Sequence, residues 1–164
     1  MNQVEEMSVE EIEEVLSRVG YGHLGCTLAD RPYVVPIHYV FDKSIIYFYT
    51  TEGRKTEIIG RNPKVCVQVE EVTDNGDWRS VIAYGEAEKL NVEDEKLRAL
   101  KLIVAANPTL TPALSIRWMD NWIRENREVV YRITPKLLTG RYSVKVQSKA
   151  TFADPGFSRR VQPI

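Results

Sequence analysis

A chain of 164 residues is the size of one ordinary domain, long enough to bury a hydrophobic core without disulfide or metal staples. Its 43% hydrophobic and 27% charged residues exclude the composition of a disordered tail or a membrane span. The net charge of -1 provides no basic excess for holding nucleic-acid phosphates, so no nucleic-acid partner and no membrane association are expected.

The opening MNQVEEMSVEEIEEV is acidic and amphipathic and lacks the basic and apolar regions of a secretory signal, which points to a cytoplasmic protein. Ser8 followed by Glu11 forms a capping box, and Val9, Ile12, Leu16 and Val19 mark one face up to Gly20. The first element is therefore expected to be a short amphipathic helix. From Tyr21 the runs GHLGCTL, RPYVVPIHYVF and SIIYFYT are rich in β-branched and aromatic residues, with breaks at Ala29-Asp30-Arg31-Pro32 and Asp42-Lys43. They read as consecutive antiparallel strands. Pro36 has no N–H to give a central ladder, so its strand is expected to have a free edge or a bulge there, an irregularity able to face a ligand.

A helical turn over residues 56–60 ends at Asn62-Pro63, and Val65, Val67 and Val69 then alternate as a strand. Asp74-Asn75-Gly76-Asp77 is a hairpin signal leading into WRSVIAYGEAEKL, where Gly85 permits a bulge or a close backbone approach. Asn91 can cap a helix running to about Ala106 with Leu97, Leu100 and Val104 on one face, and a second helix is expected over residues 111–122. EVVYRITP and LLTGRYSVKV read as a closing pair of strands, and the aperiodic tail carries two Phe residues. With no repeat and no βαβ alternation, the expected architecture is a single domain over residues 1–164, an antiparallel barrel with peripheral helices.

Cys26 and Cys66 are the only cysteines and read as buried thiols; His23 and His38 have no acidic or Cys ligands at zinc spacing, so no metal is expected. The segment TTEGRKT is the most informative for chemistry. It places the hydroxyls of Thr50 and Thr51 and the adjacent cations Arg54 and Lys55 in a Gly-containing turn between a strand and a helical start. An Arg fork, a Lys point charge and helix-start N–H groups together suit a phosphate, although taken alone such a turn also reads as solvated surface.

The succession RPYVVPIHYVF, SIIYFYT, TEGRKTEIIGRNPKVCV and WRSVIAYGEAEKL resembles the pyridoxamine 5′-phosphate oxidase-related superfamily, over about residues 8–90. The paired GRK and W-x-SV-x-x-x-G segments are similar to its small flavin-nucleotide-binding members, which include the nitroimidazole-resistance reductases. The resemblance implies a mainly β protein, a six-stranded antiparallel split barrel, acting as a homodimer with FMN at the subunit interface. It implies that the strand over residues 34–39 lines the isoalloxazine, largely through backbone groups, with Val35, Pro36, Ile37 and His38 among the cofactor-binding residues. Thr50, Thr51, Arg54 and Lys55 would hold the phosphate, Ser80 would stand near the flavin pyrimidine edge, and Trp78 would border the cleft. Trp78 also reads as a strand aromatic packed on its neighbour, and Arg141 as an exposed strand residue. His38 is the one catalytic candidate, able to bond the ring or position a substrate, or else an ordinary strand residue.

LLTGRYSVKV has no counterpart of the oxidases' vitamin-binding residues, which argues against vitamin B6 oxidation. The implied activity is a flavin-dependent reduction of a small aromatic or nitro compound with electrons from a nicotinamide or another small donor. The alternatives are a flavin-binding module without turnover, for storage, sensing or electron relay, and a relative that uses deazaflavin F420, FAD or haem.

Overall fold

In the computed structural model, which describes residues 2–73, 77–106 and 128–145, every one of the alternating runs is a strand. The strands β2 (Tyr21–Leu28), β3 (Arg31–Asp42), β4 (Ile45–Thr51), β5 (Lys64–Val72), β6 (Trp78–Lys89) and β7 (Glu128–Lys145) lie in the order β7-β4-β3-β2-β5-β6. β6 pairs again with β7, so these six antiparallel strands close into a barrel, as expected from the sequence. A further strand, β1 (Asn2–Glu6), extends the far end of β7 by pairing with residues 141–145. The expectation that a helix is the first element is thereby corrected. With Val4 as its one apolar residue, β1 has too little alternation to be read, and it is the overhang of β7 beyond β4, on the edge opposite β6, that gives it a partner.

β7 is the other correction. EVVYRITP and LLTGRYSVKV are one strand of 18 residues, not a pair. Its first part pairs with β4 and its longer middle part with β6, which is how one strand closes the ring. Pro135 is accommodated because the register shifts there: Tyr84 lies opposite Leu137 and Gly85 opposite Pro135, leaving Lys136 as the extra residue of a bulge. A Cβ at Gly85 would lie 2.6 Å from the Thr134 carbonyl oxygen, so the close approach expected at this glycine is real.

Inward-facing side chains alternate along each strand and fill the barrel; Leu24, Tyr39, Phe48, Val67, Val81 and Ile133 have no exposed surface. Helix α1 (Val9–Val19) closes one end with Ile12, Val15 and Leu16. Its capping box is formed, with Ser8 N–H donating to Glu11 Oε2 (2.8 Å) and Glu11 N–H to Ser8 Oγ (3.2 Å), and Gly20 ends it in the left-handed region. Val9 is exposed and Val15 takes its expected place in the core. The Tyr39 hydroxyl, buried beneath the helix, donates to the Leu16 carbonyl at 2.9 Å. Helix α2 (Arg54–Arg61) runs two turns instead of the one expected and covers the other end with Ile58 and Ile59.

Helix α3 (Glu93–Ala106) lies on the outer face of the barrel, where Ala99 and Ile103 pack with Tyr49, Leu90 and Val130. Leu97 and Val104, expected on the buried face, are exposed: KLRALKLIVAA is apolar on two sides, and the outward Tyr49 and Val130 decide which one docks. The helix begins after Asn91, with the Val92 carbonyl accepting from Lys96 N–H. Residues 74–76 of the expected hairpin turn, residues 111–122 and the tail lie outside the described residues. Cys26 is buried in the core, whereas Cys66, also expected to be buried, is half-buried on the outer face with its sulfur above Gly25. No helix among the described residues is long and apolar enough to cross a membrane.

Both hairpin turns flanking β3 hold non-glycine residues in the left-handed region: Ala29 (φ 48°) with Asp30 (φ 59°), and Lys43 (φ 48°) with Ser44 (φ 63°). That is the type I′ geometry whose twist matches the strands it joins, and L-residues adopt it at a cost. Ala29→Gly is expected to stabilise the fold by about 0.5–1 kcal/mol. The check is a urea midpoint that rises with an unchanged slope; an unchanged or lower midpoint counts against strain at this turn.

Candidate functional site

The site begins where two strands part. β3 pairs with β4 only from Tyr39 opposite Phe48 to Asp42 opposite Ile45. Beyond that rung β4 runs on with β7 and β3 with β2, so residues 31–38 have β2 as their one partner among the described residues. Tyr39 N–H donates to the Gly20 carbonyl across the β2 side, and backbone direction alternates along a strand. The odd positions of β3 therefore bond toward β2, and Val34, Pro36 and His38 turn their backbone groups to the open edge. Pro36, with no N–H to offer, sits where none is needed, on the free edge expected from its position.

The same alternation sorts the side chains. Ile37 is in the core and Val35 packs against it, so neither side chain faces the open edge. Pro36 is exposed and His38 half-buried on the outer face. The Tyr21 ring lies 5.2 Å from the His38 ring, and His38 Nδ1 is buried without a hydrogen-bond partner among the described residues. Burial pushes the His38 imidazole pKa below its ordinary value, favouring the neutral ring. A buried nitrogen left unsatisfied costs about 1–3 kcal/mol, which a ligand bonding to it would recover.

Downstream of the split, β4 leads directly into the GRK turn. Thr50 is buried, pointing inward, and the Lys55 ammonium donates to its hydroxyl. The Thr56 hydroxyl accepts from Gly53 N–H (2.9 Å) and donates to the Gly53 carbonyl (2.8 Å), fixing the turn into α2. Burial lowers the Lys55 pKa, with Cys26 acting weakly in the opposite direction. Thr50 is its one hydrogen-bond partner among the described residues, and it has no carboxylate partner there. A half-buried ammonium has three donors and a charge to satisfy, so this environment fits an arriving anion. Arg54, next to it, is exposed and makes no ion pair among the described residues, and Thr51 is half-buried at the end of β4. Thr50 and Lys55 are thus brought together where β4 leaves β3, with Thr51 and Arg54 as their neighbours along the chain.

Trp78 and Ser80 are not. They stand on the outer face of β6, separated from β3 by β2 and β5. There they line a cavity of about 550 Å³ with Met7, Val9, Ile82 and Arg141. Ser80 is nevertheless connected toward β3. Gln68 on β5 approaches Ser80 Oγ at 3.5 Å and His23 Nδ1 at 3.2 Å, and His23 packs edge-on against Tyr21 at 5.7 Å. Tyr21 and Gln68 went unnoticed in the sequence because their relation to His38 and Ser80 exists only across strands, Tyr21 opposite His38 and His23 opposite Gln68.

Comparison with known proteins gives a consistent placement. The family described as pyridoxamine 5′-phosphate oxidase matches residues 8–142. An uncharacterised protein of Rhizobium meliloti is 34% identical over 84 residues, 51% of this chain and 56% of the relative, so the match spans little more than half of that protein. An FAD-binding protein from Mesorhizobium loti is similar in structure with a TM-score of 0.73 and 27% identity, over 88% of this chain and all (100%) of that one. A candidate 5-nitroimidazole antibiotic resistance protein from Bacteroides thetaiotaomicron shares the fold, with a TM-score of 0.68 and 20% identity over 87% of this chain and 89% of that one.

Proposed function

The chain belongs to the pyridoxamine 5′-phosphate oxidase family, and from that premise we propose that it is a cytoplasmic, homodimeric FMN protein, one domain per subunit, that reduces a small aromatic or nitro compound. The observation that carries the reading is the half-buried Lys55 ammonium, without a carboxylate partner among the described residues, held on Thr50 beside Arg54 where β4 leaves β3. An anion with a planar body suits such a site: the phosphate at the GRK turn, the ring along Val34, Pro36 and His38. Arg54 contributes a planar two-pronged donor and Lys55 a compact charge, so a terminal phosphate is gripped from two sides.

When bound, the flavin supplies the hydride and electron chemistry. The chain orients the ring against the backbone edge of β3, excludes water with Pro36 and Tyr21, and offers the neutral His38 ring to a group that needs a partner. Trp78 and Ser80 stand on β6, with β5 and β2 between them and β3, an arrangement that suits a dimer in which β6 of a second copy completes the cleft.

The test is the visible spectrum of the purified protein, followed by denaturation and chromatography of whatever is released. A flavin spectrum with FMN released, and repeated bleaching by NADH or NADPH with recovery on a nitroaromatic acceptor, is the expected result. A colourless protein that also refuses added FMN, FAD and F420 sinks the reading. FAD is the second reading, favoured by the 27% identity to the Mesorhizobium FAD-binding protein, and the same chromatogram separates the two.

A further inference from the structure

A chain of polar side chains runs over the outer face from β6 to β2, and its hydrogen-bond directions are determined. Gln68 Nε2 lies 3.3 Å from Glu70 Oε2 and 3.5 Å from Ser80 Oγ. A carboxylate only accepts, so the amide must turn its NH2 end to Glu70 and its oxygen to His23. That oxygen, 3.2 Å from His23 Nδ1, also only accepts. Neutral His23 therefore carries its proton on Nδ1 and keeps a lone pair on Nε2. The half-exposed Tyr21 ring stands 5.7 Å from His23 and 5.2 Å from His38, so aromatic surface lies beside this acceptor.

We propose that His23 Nε2 is a fixed hydrogen-bond acceptor, oriented by Gln68 and Glu70, that selects a planar heteroaromatic ring presenting an N–H and lying against Tyr21 and His38. A ring offering an oxygen lone pair at that point meets lone pair with lone pair and is rejected. The inference rests on the flavin reading only in taking this face as the side from which a ring approaches. Two sources share the chemistry: the pyrimidine N–H of the isoalloxazine itself, and the ring N–H of a separate substrate. Gln68 is then a positioning residue, acting through the tautomer of His23.

The chain has two histidines, so a long-range proton–nitrogen NMR spectrum of the full protein, recorded where both imidazoles are neutral, resolves the tautomer directly. His23 is expected as the Nδ1–H form. Gln68→Leu should move it toward the Nε2–H form that free imidazole favours, and Gln68→Glu, which keeps an acceptor oxygen, should restore it. Binding is read with two pairs of probes: FMN against N3-methyl FMN on flavin-free protein, and indole against benzofuran on protein as purified. A preference of about five- to tenfold for the N–H member in one pair, falling to near unity in Gln68→Leu, supports the proposal, and the pair that shows it names the source. Wild-type His23 in the Nε2–H form, or no preference in either pair, overturns it. Failure of the flavin reading is separately visible as refusal of both FMN probes, and the tautomer and the indole pair then still decide this proposal.

Discussion

Replacing Lys55 with methionine is expected to weaken FMN binding by on the order of 30- to 100-fold and to leave riboflavin binding nearly unchanged, because riboflavin lacks the phosphate that the ammonium would hold. Titration of protein fluorescence or flavin absorbance with both compounds makes the measurement. Equal losses for the two would place Lys55 at the ring or in the fold instead of at the phosphate. The same substitution should stabilise the flavin-free protein. Burial lowers the Lys55 pKa, so the charged form is the disfavoured one in the folded state. For a base with its folded pKa depressed, the penalty is present below the folded pKa, and stability rises with pH as the ammonium gives up its proton. Phosphate affinity has the opposite sign: it is present while Lys55 is charged and is lost as pH rises, beginning at lower pH than an ordinary lysine would allow. A residue that destabilises the empty protein and strengthens ligand binding is the usual compromise at a functional position. Arg54→Ala should cost less, since its guanidinium is exposed and well hydrated.

Phe48→Ala is the substitution expected to damage the fold most, by about 3–5 kcal/mol. Phe48 has no exposed surface, stacks on Tyr131 with ring centroids 5.2 Å apart, and forms the last β3–β4 rung opposite Tyr39. Truncation leaves a cavity at the point where the two strands separate, so neither strand can close over it without losing its other partner. Phe48→Leu should cost much less, about 1–1.5 kcal/mol, because most of the volume is kept. Urea denaturation of both variants decides the matter; an alanine variant within about 1 kcal/mol of wild type would mean that the split tolerates repacking.

The elements with strong local signals were legible in the sequence. The Ser8–Glu11 box, the alternation of β2 to β6, the hairpin breaks and the close approach at Gly85 are each written in a few adjacent residues, and each is present. Elements defined by their partners were not. β1 has almost no pattern of its own, β7 looked like two strands because Pro135 interrupts it, and the docked face of α3 depends on Tyr49 and Val130. The same division holds at the site. The GRK turn is local, since Lys55 reaches Thr50 five residues away, but its chemistry alone also reads as solvated surface, and it was the family resemblance of its neighbours that singled it out.

The sequence by itself determined a mainly β barrel and a turn that sets two cations beside two hydroxyls, because strand period, turn residues and clustered charges act over neighbouring positions. Tertiary structure decided the rest. The register of β3 on β2 sends Val35 and Ile37 inward and leaves the backbone of Val34, Pro36 and His38 at an open edge. Pairing of β2 with β5 puts Gln68 against His23, and thereby determines which nitrogen of that histidine holds the proton. Such relations depend on which strand lies beside which, and a one-residue slip would turn every side chain to the other face, so no reading of one strand at a time contains them.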